Sequence, residues 1–382
     1  MLIIWLITVA LLTLGILERR RHQIRVDRIP VRLHISGTRG KSLLTRMITD
    51  LFDQAGWSVT AKITGAKPKV FSAATGWIPW RRRVPARIKE QLRIVRQASC
   101  LGSQALVVEN MALRPENQHA AESQMIQSNL GIITNFRPDH QEVAASDTDD
   151  IPAALAYSFA RDNVLLLPER ELTPAIQSRV DSLHTMLITA RPAPWLPETI
   201  HPVFGSQFAL LKAAQEHYSL PDAAYGQAAA KWRERLCPES FLLPFPGVDK
   251  ARRFVDLFSC NDVASAQEIV RWLESCQLIH PPYDILLTCR ADRPLRTRAF
   301  LEWLLPALGK GQLIITGSFP LLLVNRLRRK FGVSAQAIRK YTRINPGRIL
   351  SELAHRKLTV LGLGNYVATG EEILSNLKKD LA

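Results

Sequence analysis

The chain has 382 residues, 47% hydrophobic and 22% charged, enough for two domains with full cores, and this balance excludes a wholly disordered protein. A formal charge of +16 and a pI near 10 favour anionic partners such as phosphates, anionic lipid heads, an acidic polymer or nucleic acid. Cys100, Cys237, Cys260, Cys276 and Cys289 form no C-x-x-C pair, which speaks against a zinc site or a disulfide frame and for reduced thiols in a cytoplasmic compartment.

Residues 1–17 carry no charge and, as a helix, would span roughly 25 Å, the short end of what a bilayer needs. The positive charges follow the apolar run, at Arg19, Arg20, Arg21 and Arg25, instead of preceding it as in a signal peptide. This pattern predicts a single anchor in the cell membrane, a basic linker over 18–30 and a cytoplasmic body. Val31–Ile35 reads as a strand, and the residues from Leu43 to Phe52 repeat their apolar side chains at helical spacing. Between them stand Gly37, Thr38, Arg39, Gly40, Lys41 and Ser42. A strand, a glycine turn, Lys-Ser and a helix make a phosphate cradle: loop N–H groups and the helix dipole face the anion. Lys41 adds a point charge and Ser42 a hydroxyl for Mg²⁺. The spacing is G-x-x-G-K-S, shorter than the common P-loop, whose first glycine would fall at Ile35.

Trp57–Gly65 reads as a strand ending in Thr-Gly. The Pro- and Arg-rich run from Ile78 to Pro85 cannot be a regular helix. A helical pattern resumes over 86–98 with Arg87, Lys89, Arg93 and Arg96 on its polar positions, either a solvated face or a patch for an acidic ligand or lipid. Ala105–Glu109 has the form of a buried parallel strand presenting a carboxylate at its tip, and Leu130–Asn135 delivers Asn135, Asp139 and His140 into the next loop. Such mostly hard ligands beside a P-loop suit Mg²⁺ and a nucleotide better than zinc. A helix over 151–160, a strand over 163–167, a less regular stretch to about 203 and helices over 205–218 and 222–235 follow. The prolines of Leu243–Gly247 set a domain boundary near 245. Strands then alternate with helices at 254–258, 284–289, 312–317 and 357–362, predicting a second, mainly parallel α/β domain.

Taken in order, several stretches resemble the Mur ligase superfamily, and within it the ligase subunit of poly-γ-glutamate (capsule) synthases, the PgsB/CapB type. They are Gly37–Ser42, Lys62–Gly65, Glu109–Ala112, Thr134–His140, Asn261–Ser265, Cys289–Arg293 and Gly362–Asn365. The resemblance implies a P-loop central ATPase domain over 31–245 and a smaller Rossmann-like ligase domain over 246–382. It also implies an ATP-dependent carboxylate–amine ligase that forms an acyl phosphate and releases ADP and phosphate. Ser42, Glu109 and His140 would hold Mg²⁺, Lys41 and the loop would hold the phosphates, Asn135 would contact the nucleotide and Asp262 its ribose. An arginine from the second domain would face the phosphates; among Lys250, Arg252 and Arg253 the choice is Arg252. The segment 151–160 has no lysine for the carbamylated metal bridge of many Mur ligases, and no UDP-sugar domain precedes the P-loop. The implied substrate is glutamate and a growing anionic polymer, with small membrane subunits as partners. Other readings are a ligase adding glutamate to a carrier, as folylpolyglutamate synthases do, and a membrane-anchored P-loop ATPase forming no amide bond. Basic residues that are spread and not interleaved with aromatics speak against nucleic acid.

Overall fold

The structure, a computed structural model, describes residues 1–65, 67–82, 86–112, 114–136, 151–191, 202–245, 252–260, 262–342 and 345–379. The chain divides into two compact units, the second taking up the chain from Arg233 onward.

The first unit is built on an eight-stranded sheet: β1 (Val31–Ser36), β2 (Val59–Ile63), β3 (Lys69–Ser72), β4 (Gly76–Pro79), β5 (Ala105–Glu109), β6 (Leu130–Ile133), β7 (Val164–Pro168) and β8 (Met186–Ala190), in the order β4-β3-β2-β5-β1-β6-β7-β8. All pairings are parallel except β2–β3 and β3–β4. β5 and β6 are largely apolar runs, as in a sheet buried on both faces, and Leu33, Ile35, Val107, Val108 and Ile132 are fully buried. With β1 between β5 and β6, the strand order reverses there, the position at which open α/β sheets bind ligands beyond their carboxyl ends.

Helix α1 (Leu2–Asp27) covers both the expected 1–17 anchor and most of the expected 18–30 linker. It continues without a break through the basic residues. Its first 17 residues project no buried side chain, whereas Val26 joins a cluster with Ile94, Val95, Leu106 and Ile126, and His22 Nε2 lies 2.9 Å from the Met125 carbonyl. The supposed linker is helical because one face of its last turns has something to pack against. Among the described residues α1 is the one helix long and apolar enough to cross a membrane. The helix expected over 86–98 begins only at Glu90, as α3 (Glu90–Cys100), after α2 (Lys41–Gln54). The supposedly irregular stretch before 203 holds the helix Pro174–Ser182 and β8. Pro174, which reads as a breaker, occupies the first helical turn, where proline's missing N–H costs nothing, and Thr173 caps it.

Under β1 a buried pair braces the sheet. His34 Nδ1 lies 2.6 Å from Glu122 Oε2, Gln91 Nε2 reaches His34 Nε2 at 3.2 Å, and Glu122 Oε1 accepts from the amide and hydroxyl of Ser128. Burial pushes the Glu122 carboxyl up, but the bonds from His34 and Ser128 outweigh it and leave the group below its ordinary 4.5. A carboxyl that is more acidic folded than unfolded adds stability above pH 4.5 and loses it as pH falls toward the folded value. Glu122→Gln is therefore expected to melt below the native chain at pH 7, with the gap narrowing below pH 4.5 in thermal melts across pH.

The second unit carries a six-stranded sheet: β9 (Leu242–Pro244), β10 (Arg253–Asp256), β11 (Asp284–Cys289), β12 (Leu313–Gly317), β13 (Ile338–Tyr341) and β14 (Val360–Gly364), ordered β13-β12-β11-β14-β10-β9. Only β9 is antiparallel. Strand alternation divides its core: Phe254, Leu286, Ile314 and Val360 pack on one face, Val255, Leu287, Ile315 and Leu361 on the other. The second unit takes up the chain at Arg233, ahead of the expected boundary near 245, and Leu242–Pro244 pairs with Arg253–Val255 inside its sheet. Pro244 is tolerated there because β9 is an edge strand, so a proline that reads as a break does not break the pairing.

Candidate functional site

Four strand tips of the first sheet converge on the turn after β1. The turn's glycines are dictated by backbone and space. Gly37 has φ +122, and a Cβ there would lie 2.2 Å from Thr134 Oγ1. Gly40 has φ +77, and its Cβ would lie 2.6 Å from Gln207 Nε2. Gly37→Ala is expected to destabilise the fold by about 1–3 kcal/mol and abolish nucleotide binding, checked by urea unfolding and by titration with a fluorescent ATP analogue.

Gly40 is the N-cap of α2 and offers no side chain to the first-turn N–H groups, nor is there an acidic residue in that turn. Such an uncapped positive helix end suits an anion. Lys41 arches back over the turn, its Nζ donating to the Gly37 carbonyl at 2.6 Å and the Thr38 carbonyl at 3.3 Å. The ammonium is thus held at the mouth of the turn by weak acceptors. Ser42 Oγ donates to Glu109 Oε2 at 2.8 Å, and the same oxygen accepts the Thr64 amide at 2.7 Å. Glu109, 4% exposed at the end of β5, is therefore aimed by β2 and α2 together. These two hard oxygen donors fit Mg²⁺, which takes few protein ligands and fills its remaining positions with water and substrate phosphates. Among the described residues no group of three or more His, Cys, Asp and Glu side chains could hold a metal.

Asn135, expected to contact a nucleotide, lies against the turn itself. Its Oδ1 accepts from Thr38 Oγ1 at 2.6 Å and from the Arg39 amide at 3.2 Å, and its Nδ2 donates to the Arg39 carbonyl at 3.0 Å. The side chain clamps the turn at residues 38 and 39. His140 and Asp139 lie outside the described residues, as do Asn261 and Lys250.

Arg252, the arginine expected to face the phosphates, is buried. It is 5% exposed, its guanidinium donates to the carbonyls of Leu353, Ala354 and Leu358, and it lies 4.3 Å over the Phe245 ring. It stands before β10, at the edge where the parallel strands of the second sheet begin, beside Asp284 at the start of β11. Ligands gather at the opposite, carboxyl edge, so the arginine holds the sheet's base. Asp262 does lie at the carboxyl edge, where its Oδ1 caps the helix Val263–Ser275 by accepting the Ser265 amide at 2.8 Å.

Sequence reasoning gave no individual role to Lys62, Glu90 or Arg82. Lys62, on β2, is fully buried, and its Nζ lies 2.9 Å from Glu90 Oε2. Arg82 donates to both oxygens of Glu90 and to the Gly65 carbonyl at 3.1 Å, and Arg93 sits 4.6 Å over Trp80. Arg82 thus braces the chain next to Thr64, while Arg81, Arg87, Lys89, Arg93 and Arg96 stay exposed. Burial holds Lys62 below its ordinary value against the pull of Glu90; burial raises Glu90, but Arg82 and Lys62 bring it below the carboxylate range. Asn110 was likewise given no individual role: its Nδ2 reaches Ser36 Oγ at 2.9 Å and its Oδ1 accepts the Ala112 amide, tying β5 to the start of the turn. A polar residue directly after a buried strand's carboxylate is the signal that could have found it.

Residues 244–380 match the family described as the poly-gamma-glutamate synthase CapB C-terminal domain. The chain is 29% identical over 327 residues to the PGA synthase CapB of Bacillus subtilis, covering 82% of each. It is 26% identical over 390 residues to the capsule biosynthesis protein CapB of Bacillus anthracis, covering 99% of this chain and 83% of that one. In fold it resembles FolC of E. coli, solved with DHPP and ADP, at a TM-score of 0.61 and 13% identity over 94% of this chain and 92% of that one.

Proposed function

We propose that this chain, a relative of the CapB poly-γ-glutamate synthases, is an ATP-dependent carboxylate–amine ligase that joins glutamate units through the γ-carboxyl. The observation that carries the reading is the contact of Ser42 with Glu109 at the lip of an uncapped helix, with Lys41 arched across the same turn. Transfer of a phosphoryl group to a carboxylate brings anionic oxygens together, and it depends on positioning and on charge neutralisation. The α2 amides and Lys41 would take up phosphate charge, and Ser42 and Glu109 would hold Mg²⁺, which supplies further neutralisation when bound. The carboxylate oxygen takes the γ-phosphoryl group, releasing ADP. A neutral amine then attacks the carbonyl carbon of the acyl phosphate. The C–O bond breaks with its electron pair and oxygen leaving on inorganic phosphate, and the amine's surplus proton passes to phosphate or water as the amide forms. The apolar start of α1 would anchor the enzyme in the cell membrane beside other membrane subunits, with its basic turn on the cytoplasmic side.

The test uses the full chain in detergent with ATP, Mg²⁺, glutamate and hydroxylamine. The expected product is glutamyl hydroxamate, matched one for one by ADP. ADP without hydroxamate would favour a P-loop ATPase that forms no amide. The FolC-like fold makes glutamate addition to a carrier the second reading, for which activity would require a folate acceptor.

A further inference from the structure

From Trp303 to Ser351 the chain has nine lysines and arginines and not one aspartate or glutamate. The second sheet ends in this window with β13, an edge strand paired only with β12 among the described residues. On one face of β13, Ile338 enters the core with Val324 and Leu327 of the helix Leu321–Lys330. Lys340, on that same face, donates to Asn325 of that helix at 2.6 Å. Exposed Arg326 and Arg329 flank Asn325 on that helix. On the other face Tyr341 bonds Glu352, Arg339 lies 3.4 Å from Glu352, and Arg348 stacks 5.6 Å over Tyr341. Arg339, Lys340, Tyr341 and Arg348, with Ile338, line an open cavity of about 330 Å³. Cations therefore rise from both faces of a strand whose outer backbone groups are open, and Glu352 is the carboxylate recorded among them.

We propose that this strand edge is a track for the growing poly-γ-glutamate chain, an inference that rests on the ligase reading above. The polymer offers one carboxylate per residue for the flanking cations, and amide groups that an open strand edge can pair. A membrane surface fits less well. The apolar residues Val324 and Leu327 are buried, and the exposed Leu321 and Leu322 sit in the helix's first turn, away from its basic last turn. Nucleic acid needs stacking faces, and Tyr341 is covered by Arg348. In the arginine-rich 80–96 segment, the earlier candidate for such a surface, Arg82 is held by Glu90 and Arg93 lies over Trp80.

The experiment compares the full chain in zwitterionic nanodiscs with R339E/K340E/R348E and with R339S/K340S/R348S, which adds no repulsion toward Glu352. Arg271→Glu, on an exposed helix face elsewhere, is the control. Binding of fluorescent poly-γ-glutamate should weaken at least about tenfold in both triple variants, with a shallower salt dependence, and the control should bind as the native chain does. Product chains should shorten while hydroxamate formation from free glutamate stays at the native rate. Unchanged polymer binding in both triple variants would overturn the proposal. So would a loss confined to phosphatidylglycerol vesicles or to a DNA oligomer. A native chain that binds polymer through these residues but yields no hydroxamate would support the track and count against the ligase reading.

Discussion

Lys41→Ala is expected to lower ATP-dependent hydroxamate formation by about 10²–10³-fold, the cost of removing one preorganised donor to developing charge in a site of this kind. The ammonium now donates to the carbonyls of Gly37 and Thr38, neutral acceptors that an anionic phosphate oxygen outcompetes. The lysine also braces the turn, so stability must be measured beside activity. Losing hydrogen bonds that are only partly buried costs about 1 kcal/mol, a shift of a few degrees in a chain of this size. A large fall in rate with a small fall in Tm is the expected pair. Lys41→Arg should not restore the rate, because the planar guanidinium cannot place a compact charge over the turn. Near-native activity in Lys41→Ala would remove the phosphate cradle from the reaction.

Glu90→Ala is expected to cost about 3–5 kcal/mol of folding stability, because it strands the Lys62 ammonium in the interior. Arg82 loses its partner as well, and with it the contact that holds the Gly65 carbonyl next to Thr64. Because Thr64 aims Glu109, activity should fall even under conditions where the variant remains folded. The pH dependence has a definite sign. Lys62 titrates below its ordinary 10.5 in the folded chain, so the unfolded chain binds more protons between the two values and stability rises with pH there. The deficit of Glu90→Ala should shrink accordingly as pH rises toward 10.5. Urea unfolding at several pH values measures this. The pair K62M/E90L should recover most of the loss, since an apolar pair of similar volume replaces a buried ion pair at little cost. A double variant as unstable as Glu90→Ala would show that the buried charge is not the cause.

The turn from Gly37 to Ser42, the carboxylate of Glu109 and most of the parallel strands were legible along the chain. Each is a local statement: a strand, a glycine turn and a helix are adjacent in sequence, and a buried strand declares itself by an unbroken apolar run. The ends of α1 and β9 were not legible in the same way. The helix runs on through Arg19–Arg21 because Val26 finds Ile94 and Leu106, and Pro244 stays in a strand because that strand is at an edge.

Charge was the least legible property. Arg82, Arg252 and Arg339 are the same residue type in similarly basic stretches. Yet one braces Glu90, one binds three carbonyls at the base of a sheet, and one stands on an exposed strand edge. Periodicity and turn chemistry are set by neighbours a few positions away, so the linear order alone determines them. A cation's role depends on which carboxylate or carbonyl reaches it and on how much water is excluded. Arg252, for example, finds its acceptors about a hundred positions later in the chain. The glycine turn could be read from Gly37 to Ser42, but only folding placed Thr64 on Glu109 and Asn135 on Thr38, because those contacts join strand tips distant in sequence and adjacent in the sheet.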